Sequence, residues 1–137
     1  MQGYNVIAVF SPDRQTMLMC KRVKDPYKGL YNFVGGKIEQ DEDGYTAAYR
    51  ELYEETGITK EDIRLVHLMD FSYPLDDCYV EVYAGGLTRE VEVRDEKNPL
   101  FWTTLDKNFY DMRQYAGEGN IGHIMEHIKM HCSEIFD

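Results

Sequence analysis

A chain of 137 residues, 43% of them apolar, is long enough to bury a core and short enough to read as one domain spanning residues 1–137. Its 25 acidic residues against 15 basic ones leave a formal charge of −10, which argues against a nucleic-acid polymer as partner, because such binding rests on many Lys and Arg contacts to phosphate. No run approaches the ~18 apolar residues of a membrane span, and residues 1–10 lack the charged start and long apolar stretch of a leader, so a soluble cytoplasmic protein is expected.

Residues 4–10 read as a strand, Ser11-Pro12-Asp13-Arg14-Gln15 as a turn and residues 16–22 as a second strand, together a hairpin. Residues 25–29 hold Pro26 and Gly29 and read as a loop, while residues 31–34 are short, extended and feed Gly35-Gly36. Residues 45–56 read as a helix that stops at Gly57, where a left-handed cap belongs. Residues 64–73 and 78–85 form two more strands joined by Pro74-Leu75-Asp76-Asp77, and residues 101–103 a last one. Residues 120–134 close the chain as a helix, with Ile121, Ile124, Met125 and Ile128 on one stripe that Ile135 extends. Strands enclosed by two helices predict an α/β/α sandwich around a mixed sheet. Cys20, Cys78 and Cys132 are odd in number and widely spaced, which predicts reduced thiols and neither a disulfide frame nor a zinc motif.

The chemistry is concentrated between Gly36 and Ile58. On a helix over residues 45–56, Glu51, Glu54 and Glu55 stand at i, i+3 and i+4 and project three carboxylates within about one turn. Like charges at that spacing repel, so a cation belongs there, and oxygen-only ligands suit the hard ions Mg²⁺ or Mn²⁺. Ala47 and Ala48 keep the helix slim, and Leu52 with Tyr45 or Tyr49 supplies an apolar side to dock. Taken alone, a Glu-x-x-Glu-Glu run also fits a solvated acidic face. Gly36, Glu42, Arg50 and Gly57 in register with it favour the metal-site reading.

This segment follows the pattern G-x5-E-x7-R-E-U-x-E-E-x-G-U, with U aliphatic, at every specified position from Gly36 to Ile58, and so resembles the signature of the Nudix hydrolase family. The resemblance implies an α/β/α Nudix fold and divalent-metal-dependent cleavage of a small nucleotide. The reaction would act on a nucleoside triphosphate, or another nucleoside diphosphate linked to a second group, by a monomer or homodimer. It also implies that Glu51, Glu54 and Glu55 bind metal, that Arg50 orients a glutamate, and that Glu51 is the general base in one assignment among the glutamates. The run Tyr31-Asn32-Phe33-Val34-Gly35-Gly36-Lys37 is similar to the lead-in of MutT-type members, with Val34 where proline is usual. By that likeness the Gly35 carbonyl is a metal ligand, and Phe33 and Lys37 face substrate. A further glutamate, a few residues before a tryptophan, completes the metal site in such enzymes. Glu96 before Trp102 is the candidate, with Glu90, Glu92, Asp95 and Glu81 as rivals.

Arg22, at a strand end, resembles the basic residue that family members aim at phosphates, and Lys21, Lys24, Lys28 and Lys37 could extend that patch. Asn120 reads either as a helix N-cap or as the asparagine that reads a base edge in MutT-like proteins. His123, His127 and His131 share one helix face with no carboxylate or cysteine arranged to finish a metal site, and Tyr73 and Pro74 read as loop residues. MutT-like hydrolysis, with 8-oxo-dGTP as a specific substrate, is the leading expectation. An ADP-ribose or nucleotide-sugar pyrophosphatase is the alternative enzyme, and a non-catalytic nucleotide sensor the alternative of another class.

Overall fold

The computed structural model describes residues 1–137. In chain order it contains β1 (Gln2–Phe10), β2 (Thr16–Lys21), β3 (Tyr31–Asn32), α1 (Gly44–Thr56), β4 (Val66–Tyr73), β5 (Cys78–Gly86), β6 (Leu100–Thr104), α2 (Asn120–Met130) and α3 (Cys132–Phe136), with one 3-10 turn at Pro74–Asp76. Six strands make one mixed sheet in the order β3-β2-β1-β5-β4, and β6 pairs with β2. The β1–β5 pair is parallel, from Gln2↔Cys78 to Phe10↔Gly86, whereas β4 runs antiparallel to β5 and β6 antiparallel to β2.

Alternation along β1 sends successive side chains to opposite faces, and each face is covered by helix. Ile7 and Val9 pack with Ala48 and Leu52 of α1, together with Ile58 and Ile63. Ala8 and Phe10 pack with Ile121, Ile124 and Ile128 of α2 and Ile135 of α3. This is the expected α/β/α sandwich, and Leu52 at 0% exposure sits at the centre of one layer. Truncating such a leucine to alanine costs about 2–5 kcal/mol.

One departure from the simple hairpin positions everything that follows. Strands β1 and β2 pair only at Phe10↔Met17 and then diverge. The vacated edge of β1 is taken by residues 34–38. Ile7 N–H donates to Val34 O at 2.8 Å, Asn5 N–H to Gly36 O at 2.8 Å, and Ile38 N–H to Gly3 O at 2.9 Å. Gly35 and Gly36 are thereby fixed to the sheet edge beside α1.

The final helix differs from the uninterrupted one expected over residues 120–134. Regular α2 geometry stops at His131, and a one-turn α3 follows. The break turns Ile135 into the core and sets the Phe136 ring edge-on to Phe10 with centroids 5.0 Å apart. No helix is long and apolar enough to cross a membrane.

Candidate active site

Asp43 caps α1, its Oδ1 accepting from the Thr46 N–H at 2.8 Å, and Gly57 ends it at φ 84° with its N–H bonded to Tyr53 O. The expected glycine stop is therefore present, and Asp43 adds an N-cap that the sequence reading did not name. The buried face of this helix holds not only Ala47, Ala48 and Leu52 but also Glu51 and Glu55, which are 5% and 6% exposed. Glu51 and Glu55, four residues apart, point at the glycine turn, while Glu54 lies at the exposed rim.

The two glycines make that approach possible. A side chain on Gly36 would collide with the Glu51 carboxylate, and one on Gly35, whose φ is 151°, would strike the Asn5 carbonyl. The Gly35 N–H donates to Glu55 Oε2 at 2.6 Å, and the Gly36 N–H to Asn5 Oδ1 at 3.0 Å. Burial pushes the Glu55 carboxyl up to about 7, with the neighbouring Glu51 charge adding to the rise and the Gly35 hydrogen bond opposing it.

Arg50 wires the signature together. It clasps Glu42 through Nη2 at 2.5 Å and Nε at 3.0 Å, and shares Nη1 between Glu51 Oε1 at 3.0 Å and Glu54 Oε2 at 3.1 Å. Its Nη2 also donates to Lys37 O at 3.0 Å. These bonds, that to Glu42 first, hold the guanidinium charged and the Glu42 carboxyl below its ordinary range. Arg50 thus contacts Glu51 and Glu54 at once.

The donor set fits a divalent ion. Glu51 Oε2 is buried and has no hydrogen-bond partner, with the Lys97 ammonium an ion-pair distance of 3.6 Å away. Two buried carboxylates side by side favour further positive charge beside the Oε2 that makes no hydrogen bond. Glu51, Glu54 and Glu55 supply the hard oxygen ligands that Mg²⁺ or Mn²⁺ takes. Glu96 is not brought to this cluster. Its carboxylate lies 3.5 Å from Arg94 Nε, and the next residue, Lys97, is the one that reaches Glu51. The rival Glu81 accepts from Tyr83 Oη at 2.7 Å and belongs to a separate group with His67 and Asp70, whose potential ligand atoms all lie within 4.8 Å of one another.

A cavity of about 620 Å³ opens beside the glycine turn. Arg22, Phe33, Gly35 and Asn120 line it, so four of the residues expected to meet substrate or metal share one space. Lys37 does not reach it; its side chain is exposed and its carbonyl serves Arg50. Of the five basic residues gathered before and within the motif, only Arg22 lines the cavity, with Nε donating to Pro26 O at 2.6 Å. Asn120 is not the cap of α2. Gly119 holds that position at φ 91°, and the Asn120 amide instead donates to Tyr73 Oη at 2.5 Å. Tyr73 is therefore no idle loop residue: it ends β4 and lines the same cavity. Tyr27 Oη donates to both Glu118 carboxylate oxygens, at 2.6 and 2.7 Å, joining two loops at the mouth. Burial and this carboxylate push the Tyr27 phenol up to about 12.

Sequence reasoning missed Asn5, Tyr73 and Lys97. Only Asn5 carries a local signal, an amide at an inward-facing position of an apolar strand. The three histidines of the last helix do share a face, His123 and His127 packing at 4.7 Å between ring centroids and His127 and His131 at 6.3 Å.

A mixed sheet between helices, carrying two buried glutamates against a glycine turn and a third at its rim, defines the class. The family described as NUDIX domain matches residues 1–120. The chain belongs to the Nudix family and is a Nudix hydrolase with a MutT-like fold. A MutT structure described for Aliivibrio salmonicida and Vibrio cholerae is 21% identical with a TM-score of 0.72, covering 94% of this chain and 98% of its own. An Ap4A hydrolase from C. elegans, in a binary complex, is 17% identical with a TM-score of 0.77, covering 98% and 100%. The NUDIX domain of Shewanella oneidensis NrtR, complexed with ADP ribose, is 18% identical with a TM-score of 0.72, covering 95% and 87%. No curated protein matches the chain in sequence.

Proposed function

We propose that this enzyme hydrolyses a nucleoside triphosphate to a nucleoside monophosphate and pyrophosphate, with an oxidised purine such as 8-oxo-dGTP as the leading specific substrate. The observation that carries the reading is the open Oε2 of Glu51, buried beside Glu55 and the Gly35-Gly36 turn at the edge of a 620 Å³ cavity lined by Phe33, Tyr27, Phe71 and Tyr73. Aromatic walls suit a base, Asn120 offers a polar group to its edge, and Arg22 stands where a phosphate chain would pass.

In this reading Glu51, Glu54, Glu55 and the Gly35 carbonyl would hold Mg²⁺ or Mn²⁺, while Glu96 stays paired with Arg94. The bound ions neutralise charge on the phosphate oxygens and ease deprotonation of water. Arg50 keeps Glu51 and Glu54 in place, and the glycine N–H groups hold Glu55 and Asn5. A water oxygen would bond to one of the two phosphorus atoms flanking the bridging oxygen, the bond from that phosphorus to the bridging oxygen would break with its electron pair leaving on the other product, and Glu51 would receive the water proton. The high overall negative charge makes the ions and Arg22 the means by which an anionic substrate is accepted.

A second reading, cleavage of ADP-ribose or a nucleotide sugar, is favoured by the fold shared with a NUDIX domain that is complexed with ADP ribose. Pyrophosphate and phosphate release with Mg²⁺ or Mn²⁺, across canonical and 8-oxo triphosphates, ADP-ribose, nucleotide sugars and dinucleoside polyphosphates, separates the readings. Pyrophosphate from one triphosphate class is expected. Turnover of ADP-ribose alone moves the assignment to the second reading, and tight binding without turnover moves it to a sensor.

A further inference from the structure

Asn5 lies on β1 and is 2% exposed. Its main chain and half of its side chain hold the glycine turn, with the N–H donating to Gly36 O at 2.8 Å and Oδ1 accepting from the Gly36 N–H at 3.0 Å. That acceptor role fixes which way the carboxamide points, since a flipped amide would set two donors against each other. Nδ2 is then left buried with no hydrogen-bond partner. Buried amide donors are nearly always paired, and an unpaired one in a well-formed site calls for a partner outside the chain. Asn5 also lines the 620 Å³ cavity, at the place where the cavity meets Gly35 and Gly36.

We propose that Asn5 is a substrate-binding residue, whose Nδ2 donates to an acceptor oxygen of the bound nucleotide where its phosphate chain leaves the cavity for the glutamates. The inference rests on the nucleotide reading above and adds a contact that the signature does not contain. The oxygen belongs either to the first phosphate or to the sugar or base, and the ligand series below tells these apart.

Asn5→Asp keeps the acceptor for the Gly36 N–H and replaces the donor by a carboxylate oxygen, which repels an acceptor. Wild type and N5D are titrated by calorimetry with Mg²⁺ and the α,β-imido forms of dGTP, 8-oxo-dGTP, dATP, dCTP and dTTP, and with ADP-ribose. The Kd of whichever probe binds is expected to rise about tenfold or more, with melting within a few degrees of wild type; in turnover, KM rises while kcat stays within about threefold. Repeating the titration with the matching monophosphate and free nucleoside assigns the oxygen, because a nucleoside affected as strongly places it on sugar or base. Equal affinity of N5D and wild type overturns the inference and leaves the nucleotide reading standing. Failure of wild type to bind any probe overturns both. A second measurement needs no folded N5D: the ¹⁵N-resolved side-chain NH₂ pair of Asn5, assigned by its loss in Asn5→Ser, is expected to move downfield on saturation with the analogue, and an unmoved pair overturns the proposal.

Discussion

The two ends of the cleft are built in opposite ways. At the inner end one arginine makes five hydrogen bonds to groups that all belong to the signature, and two glutamates are sunk into the helix–sheet interface. At the mouth the links are few: Tyr27 to Glu118 and Asn120 to Tyr73 join distant segments, and Arg22 reaches Pro26 O four residues along its own loop. Charge that must be held against its own repulsion needs several fixed partners, whereas a surface that chooses a ligand needs shape and a few replaceable polar groups. The first is a problem of electrostatics at fixed spacing, the second of loop geometry.

Substitutions should separate the two ends by size of effect. At the inner end Glu54→Gln or Glu55→Gln is expected to leave the fold intact and cut kcat by about a hundredfold or more, the scale of one lost preorganised electrostatic contact; near-wild-type turnover in the double variant would remove these residues from the site. Glu55→Gln carries a second signature. In the ion-free protein the native carboxyl titrates at about 7 against an ordinary 4.5. The native state therefore holds a proton that the unfolded chain releases, and stability falls as pH rises through that window. The amide should abolish that fall and make the ion-free variant more stable than wild type at pH 8 (a condition chosen about one unit above the raised value), which chemical denaturation at two pH values will read.

Arg50→Lys comes next. An ammonium is not a fork and cannot serve Glu42, Glu51, Glu54 and Lys37 O together, so a loss of about 1–3 kcal/mol in stability is expected, with kcat falling more than KM rises. At the mouth Tyr73→Phe removes only the acceptor for the Asn120 amide, and KM should rise about threefold to tenfold while kcat holds. The smallest effect is reserved for Tyr27→Phe, which frees Glu118 and should change product release by no more than about threefold. A Tyr73→Phe effect on kcat as large as that of Glu54→Gln would erase the division between the two ends.

What the sequence determined by itself was the inner end. Glu51, Glu54, Glu55 and Arg50 occupy one helix, so their relative positions follow from a rise and a period, and Gly57 and Asp43 end that helix by local backbone chemistry. The strands and the two helical layers followed from alternation and from the apolar stripe of α2 for the same reason. Only the tertiary structure decided that β2 leaves β1 early and gives its place to residues 34–38, which brings Gly36 against Glu51 and Asn5. It also decided that Tyr73 meets Asn120 across 47 residues of chain, that Gly119 rather than Asn120 caps α2, and that Lys97 rather than Glu96 faces the buried glutamate. Such contacts depend on where loops of irregular φ and ψ return to the sheet. No periodicity encodes that return, because it is set by the packing of the whole chain.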